Sequence, residues 1–168
     1  MALPTSMSDR DGKIWMDGQL VEWRDAKIHV LTHTLHYGCG AFEGVRAYKT
    51  DTGTAIFRLR DHTERLFNSA KILRMQIPFS LEQVMQAQID AVRVNGFDSC
   101  YIRPLTWIGD KKLGVSPRGN TIHLMIAEAT RRYDADLHRN DATCRIRFGT
   151  YFWSQNCCAA PSAGPPSE

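Results

Sequence analysis

Tyr101-Ile102-Arg103 puts a phenol and a guanidinium two positions apart. In a strand that spacing sets both side chains on one face, and the arginine could grip a carboxylate through two parallel hydrogen bonds. Alone, the same pair also fits an arginine leaving a sheet edge for water. Arg65, in the first turns of an expected helix, is either an anion ligand or a solvated charge. The third concentration of chemistry is the stretch His33-Thr34-Leu35-His36-Tyr37-Gly38-Cys39-Gly40-Ala41-Phe42-Glu43-Gly44. It reads as a loop, and an aromatic and a carboxylate between its glycines suggest the wall of a small-molecule site. Its bland alternative is a glycine-rich turn ahead of a strand. His29, His33, His36 and Cys39 are metal-type residues. They lack the tight pair spacings that close a tetrahedral zinc site, so a structural or ligand-facing role is expected and no metal. No Ser-His-Asp triad, phosphate loop or carboxylate pair stands out.

The elements that must carry these residues read as α+β. Lys13–Met16 and Gln19–Trp23 flank Asp17-Gly18, the strongest short hairpin signal, because both turn positions need positive φ. Lys27–Leu31 is a candidate third strand. Val45–Lys49 and Ala55–Arg58 should pair about a turn at Asp51–Gly53. Asp61 with Glu64 has capping-box spacing and predicts a helix start, with Leu66, Ala70 and Leu73 facing the core and Pro78 as the stop. Ser80 with Gln83 repeats the box. Leu81, Val84, Met85, Gln88 and Val92 form the next stripe, and Asn95-Gly96 ends it. Cys100–Ile108 and Thr121–Ala129 read as buried strands, with an edge or bulge expected at Pro104. The glycine-rich loop 109–119 between them is long enough to suggest function.

The 168 residues suit one domain with a real core. Hydrophobic residues make up 43% and charged ones 23%, with net charge +3. That balance argues against nucleic acid as a partner. No apolar run reaches membrane-spanning length, and the first residues have neither signal nor transit character, so a cytoplasmic location is expected. Five cysteines without a CxxC pair fit reduced thiols. Residues 1–12 read as a flexible lead-in. Residues 138–168, ending in alanine, proline, serine and glycine, lack a core-forming pattern and read as a disordered tail.

Taken in order, Trp15-Met16-Asp17-Gly18, His36-Tyr37-Gly38, Phe42-Glu43-Gly44-Val45-Arg46, Phe57–His62, Arg65-Leu66, Ser69-Ala70-Lys71, Tyr101–Leu105 and Gly114-Val115 resemble the class IV (fold type IV) pyridoxal-phosphate aminotransferases. Within them, Phe42-Glu43-Gly44 with Tyr101-Ile102-Arg103-Pro104 is most similar to the branched-chain amino acid aminotransferases. D-amino acid aminotransferases and aminodeoxychorismate lyases are the neighbouring alternatives. The resemblance covers residues 12 to 133.

It implies that residues 13–137 form the family's small N-terminal lobe, an antiparallel sheet with two helices. It implies Arg65 as the ligand of the pyridoxal 5′-phosphate phosphate, and Phe42, Tyr101 and, from a partner subunit, Tyr37 and Val115 as the wall of an aliphatic pocket. Arg103 would receive the distal carboxylate of glutamate or 2-oxoglutarate, and homo-oligomerisation would complete the site. The family's cofactor lysine lies in a larger domain, in a segment like Lys-Ala-Gly-Gly-Asn-Tyr. None of Lys13, Lys27, Lys49, Lys71, Lys111 and Lys112 has that context. The expectation is therefore a lobe followed by an unrelated tail, such as a frameshift leaves, inactive alone and poorly soluble. Pairing with a full-length subunit is the non-catalytic alternative.

Overall fold

A computed structural model describes residues 6–129. The expected tail at 138–168 lies outside the described residues. The first hairpin forms as its turn chemistry requires. Strands β1 (Lys13–Met16) and β2 (Gln19–Glu22) pair antiparallel, and Asp17 and Gly18 both take positive φ, 49° and 98°. A 3₁₀ turn at Trp23–Asp25 follows, and Trp23 Nε1 donates to the Met7 carbonyl at 2.7 Å. Then come α1 (His33–Tyr37), β3 (Gly40–Phe42), β4 (Val45–Thr50), β5 (Gly53–Ile56), α2 (Leu59–Ile72), α3 (Leu81–Asn95), β6 (Cys100–Ile108) and β7 (Ile122–Ala129).

The strands form one seven-stranded sheet in the order β2-β1-β7-β6-β4-β5, with β3 also on β6. Every recorded pairing is antiparallel. One sheet face carries Trp15, Val45, Ala47, Ile102, Leu124 and Ile126, and packs with Leu66, Ala70, Val84, Ala91 and Val92 from α2 and α3. The helix stripes therefore face the core as their 3.6-residue spacing predicts. The α+β lobe is the architecture expected from the sequence.

Pro104 sits inside the central strand, yet at the one place where a missing N–H leaves no gap. Its register partner on one side is Ile126 of β7. On the other side, β3 ends and β4 has not begun, and Glu43 N donates to the Pro104 carbonyl at 3.0 Å. A strand residue's N–H and C=O point to the same side, so the absent donor faces this interruption.

Four expectations need correction. Lys27–Leu31 is irregular rather than a strand, with Ile28, Val30 and Leu31 exposed. Instead of joining the ladder, Ala26 and Ile28 lie over the sheet's second face. With Ile14, Met16, Leu105 and Met125 they help line an apolar cavity of about 240 Å³. His33–Tyr37 is a short helix, not a loop, which adds a third helix to the expected two. Thr34 Oγ1 ties it to the end of β6 by accepting from Ile108 N at 2.8 Å and donating to the Cys39 carbonyl at 2.6 Å.

The long helix begins at Leu59, not after an Asp61 cap. Arg58 is the N-cap in the left-handed region (φ 46°), and Asp61 accepts from Arg58 Nε at 2.7 Å. It ends at Ile72, well before Pro78. Arg74 N donates to Lys71 O and Met75 N to Ala70 O, both at 2.9 Å, with Arg74 at φ 55°. That is a Schellman closure with arginine where glycine is usual. The second helix starts as expected, with reciprocal Ser80–Gln83 capping, and ends on Gly96 in the left-handed region.

Candidate functional site

The site residues fall into three groups. The first is on the sheet face turned away from α2 and α3. Tyr101 and Arg103 share that face by strand alternation, and the β3–β6 register, which sets Phe42 opposite Leu105, brings the phenylalanine beside them. Arg103 Nη2 donates to the Tyr101 hydroxyl at 2.8 Å. The guanidinium carbon lies 4.3 Å from the Phe42 ring centroid and 5.1 Å from that of Tyr101. Arg103 Nε is buried and has no hydrogen-bond partner among the described residues. A cation flanked by two aromatic faces, with a buried donor left unpaired among the described residues, is a place for a small anion on an apolar wall.

Gly44 is required here. A Cβ built on it would run into the Tyr101 hydroxyl and ring, so any side chain would push the phenol off its arginine.

The second group joins the sheet to α2. Glu43, in the β3–β4 interruption, is buried. It accepts from Arg65 Nε at 2.6 Å and from Nη2 at 2.5 Å. His62, three residues before Arg65 and so on the same helix side, has Nδ1 3.1 Å from Glu43 Oε2. The same nitrogen lies 3.2 Å from Arg65 Nη2, which only donates, so it serves either the carboxylate or the guanidinium according to the ring's tautomer. The hydrogen bonds to Glu43 hold the Arg65 guanidinium still more firmly protonated than usual, against an opposing effect of partial burial.

Tyr37 and Val115 form the third group. Tyr37 packs on the His33 ring at 4.5 Å between centroids, and His33 Nε2 lies 3.4 Å from the Val115 carbonyl. Both residues are exposed, Val115 to 80%. His33 N donates to Gly109 O just beyond β6, so this group belongs to the Ile108 end of that strand. Tyr101 is at the other end, seven residues and about 23 Å away at strand rise.

The metal-type residues do not converge. His33 turns to Val115, His36 Nε2 lies 3.0 Å from the Val30 carbonyl, and His29 Nδ1 accepts from Leu31 N at 3.2 Å. Among the described residues no three His, Cys, Asp or Glu are grouped to hold a metal ion.

Sequence reasoning put the Glu43 carboxylate in the wall of a small-molecule site but missed its pairing with Arg65 and His62. Its signal was present: a carboxylate between Phe42 and Gly44 beside a buried strand needs a cation, and His62 and Arg65 lie one helix turn apart. It also missed Asp17 with His123, whose Nδ1 is 2.7 Å from Asp17 Oδ2. The third omission is Glu128, buried with Asn95 Nδ2 donating to it at 2.7 Å.

Residues 40–156 match the family model described as amino-transferase class IV. The chain is 58% identical over 122 residues to the branched-chain-amino-acid aminotransferase of Pseudomonas aeruginosa, covering 73% of this chain and 40% of that protein. To the Escherichia coli K12 protein of the same name it is 47% identical over 104 residues, 62% of this chain and 34% of that one.

Among solved structures, a T.th. branched-chain amino acid aminotransferase complexed with N-(5′-phosphopyridoxyl)-L-glutamate superposes with a TM-score of 0.69. It is 52% identical, covering 71% of this chain and 40% of that one. The Escherichia coli enzyme gives the same TM-score at 43% identity, over 71% of this chain and 40% of that one. The chain thus spans about two fifths of the length of these relatives, and its sheet and helices match their N-terminal lobe. It belongs to the class IV aminotransferases.

Proposed function

We propose that this lobe serves a pyridoxal-phosphate-dependent branched-chain aminotransferase, covering the cofactor and supplying the side-chain half of the substrate pocket. The observation that carries the reading is Arg103, held between the Phe42 and Tyr101 rings with a buried Nε that has no acceptor among the described residues. One surface then accepts both substrates. An aliphatic side chain of leucine, isoleucine or valine packs on the rings, and the distal carboxylate of glutamate or 2-oxoglutarate takes the guanidinium donors.

The residues also fit the cofactor. Arg65 is a permanently charged fork, its side chain one-third exposed, suited to a phosphate dianion. Bound pyridoxal phosphate supplies the electron sink for moving an amino group between amino acid and 2-oxo acid. The chain's own residues bind and orient: Arg65 fixes the phosphate end, Phe42 and Tyr101 exclude water, and Arg103 selects the second substrate. Tyr37 and Val115 act from a second copy of the chain, which their exposure and distance from Tyr101 favour. The lysine that carries the cofactor would come from the family's large domain rather than from this lobe.

The test joins residues 6–129 to the remainder of the Pseudomonas aeruginosa relative. The chimaera should transaminate leucine with 2-oxoglutarate, and Arg103→Met should raise KM for 2-oxoglutarate about tenfold or more while sparing leucine. A folded chimaera active only on D-amino acids, or an Arg103→Met variant with unchanged 2-oxoglutarate KM, overturns the reading.

A further inference from the structure

We infer that Glu43 is a positioning residue for the phosphate-binding arginine, a carboxylate clamp that fixes Arg65 from inside the fold before any ligand arrives. The inference rests on the proposed role of Arg65 and goes beyond it, because it assigns a task to a residue that touches neither cofactor nor substrate.

A carboxylate gripping an arginine through two hydrogen bonds could play two opposite parts. It could occupy the place of the phosphate and compete with it, or it could stand behind the guanidinium and aim it. Burial decides between them. The Glu43 side chain is 5% exposed, His62 17% and Arg65 32%. The carboxylate is the deepest of the three and the arginine side chain the outermost, so an anion arriving from solvent meets Arg65 before Glu43. Glu43 occupies the protein side of the pair.

Its backbone fixes it there. Glu43 N donates to Pro104 O in the strand interruption, so the carboxylate springs from the sheet while the arginine springs from α2. The hydrogen bonds to Nε and Nη2 lock the planar group in one orientation, and His62 Nδ1 packs against both partners, 3.1 Å from Glu43 Oε2 and 3.2 Å from Arg65 Nη2. The guanidinium thus loses its rotamer freedom on folding rather than on binding, which is how a preorganised site gains affinity. Glu43's two neighbours carry the rest of the site: Phe42 turns to the Arg103 face, and Gly44 makes room for Tyr101. A change at Glu43 therefore also reports on whether cofactor anchor and substrate wall are mechanically joined.

The experiment uses the full 168-residue chain, ¹⁵N-labelled, with pyridoxine 5′-phosphate as probe, since it lacks the aldehyde that would modify lysines. Unphosphorylated pyridoxine is the control. The Arg65 Nε–H signal is assigned by its loss in Arg65→Lys. In the unmodified chain the phosphate ester should shift that signal and pyridoxine should not.

Glu43→Gln keeps the shape but offers an amide donor to a donor. It should weaken binding of the ester about tenfold, speed exchange of the Nε proton, and leave any pyridoxine binding unchanged. Glu43→Asp, which keeps the charge, should recover part of the affinity. A purely structural role would not alter the ratio between ester and pyridoxine.

Unchanged ester affinity in a folded Glu43→Gln overturns the inference and leaves the Arg65 assignment standing. No Arg65 response to the ester in the unmodified chain overturns both. Should Glu43→Gln not fold, the unmodified chain still decides: an Nε proton exchanging as fast as in a free arginine rules out the clamp.

Discussion

Glu128 makes a quantitative prediction about stability and pH. Its side chain is buried on β7, opposite Ile102 of β6. One oxygen accepts from Asn95 of α3 and the other has no partner among the described residues. Burial disfavours the charged form, only partly offset by the Asn95 hydrogen bond, and the carboxyl is pushed up to about 7 from its ordinary 4.5. The sign follows from linkage. Below about 4.5 the group is protonated folded and unfolded alike, and nothing is lost. Between there and about 7 the folded state binds more protons than the unfolded one, so stability falls as pH rises. Above 7 the loss is complete, at about 3 kcal/mol from 1.36 kcal/mol per tenfold change in proton affinity. That is a large share of a typical domain's 5–15 kcal/mol.

Urea denaturation followed by tryptophan fluorescence at pH 5, 6, 7 and 8 measures the effect. The unmodified chain should lose about 2.5 kcal/mol across the series, since part of the loss has already occurred by pH 5. Glu128→Gln keeps a carbonyl oxygen for Asn95 but cannot ionise. Its own slope should be flatter, and at pH 8 it should exceed the unmodified chain by about 2 kcal/mol. Every other titratable group is common to both proteins and cancels in the difference. Identical slopes for the two proteins would refute the argument, whatever the absolute stability.

Three further changes test the local physics. Arg74→Gly should stabilise the chain by about 1 kcal/mol in the same assay, because glycine takes the left-handed closure of α2 without strain. Ser80→Ala removes one half of the capping box and should cost about 1 kcal/mol. Gly44→Ala drives a methyl into Tyr101 and should destabilise by about 1–3 kcal/mol. In the chimaera with the Pseudomonas aeruginosa large domain, it should also raise KM for 2-oxoglutarate by displacing the phenol from Arg103.

What the sequence revealed was what neighbouring residues decide among themselves. Asp17-Gly18 and Ser80–Gln83 are complete within four residues, and both formed as read. Tyr101 and Arg103 needed only the two-residue strand period. Phe42 joined them through a register, β3 on β6, that no local pattern contains. The errors share a cause. Asp61 has the right spacing for a cap, but its side chain is taken by Arg58. Lys27–Leu31 has strand-like residues, but its Ile28 lines an apolar cavity and Val30 and Leu31 stay exposed instead of joining the ladder. The omissions were long-range: Glu43 meets Arg65 across 22 residues, Glu128 meets Asn95 across 33 and Asp17 meets His123 across 106. A buried charge announces that it needs a partner, but only the fold says which one.

The split of the site along β6 is the feature that ties these observations to the proposed function. Phe42, Tyr101 and Arg103 gather at one part of that strand, and Tyr37 and Val115 stand near its far end. A pocket for leucine is far narrower than the roughly 23 Å between Tyr101 and Ile108, so one lobe cannot close both groups around one substrate. Moving α1 to bridge them would break the Thr34 bonds to Ile108 and Cys39 and the His33 bond to Gly109. Val30, Leu31, Leu35, Tyr37, Leu113 and Val115 are all exposed around that end, an apolar patch of the kind that marks an interface. A second lobe laid there would cover the patch and bring its own Tyr37 and Val115 toward this chain's Arg103. Under the proposed function, specificity for an aliphatic side chain is then a property of the pair. Tyr37→Ser should lower leucine turnover when placed in either subunit of a mixed dimer, but only at the active site of the other.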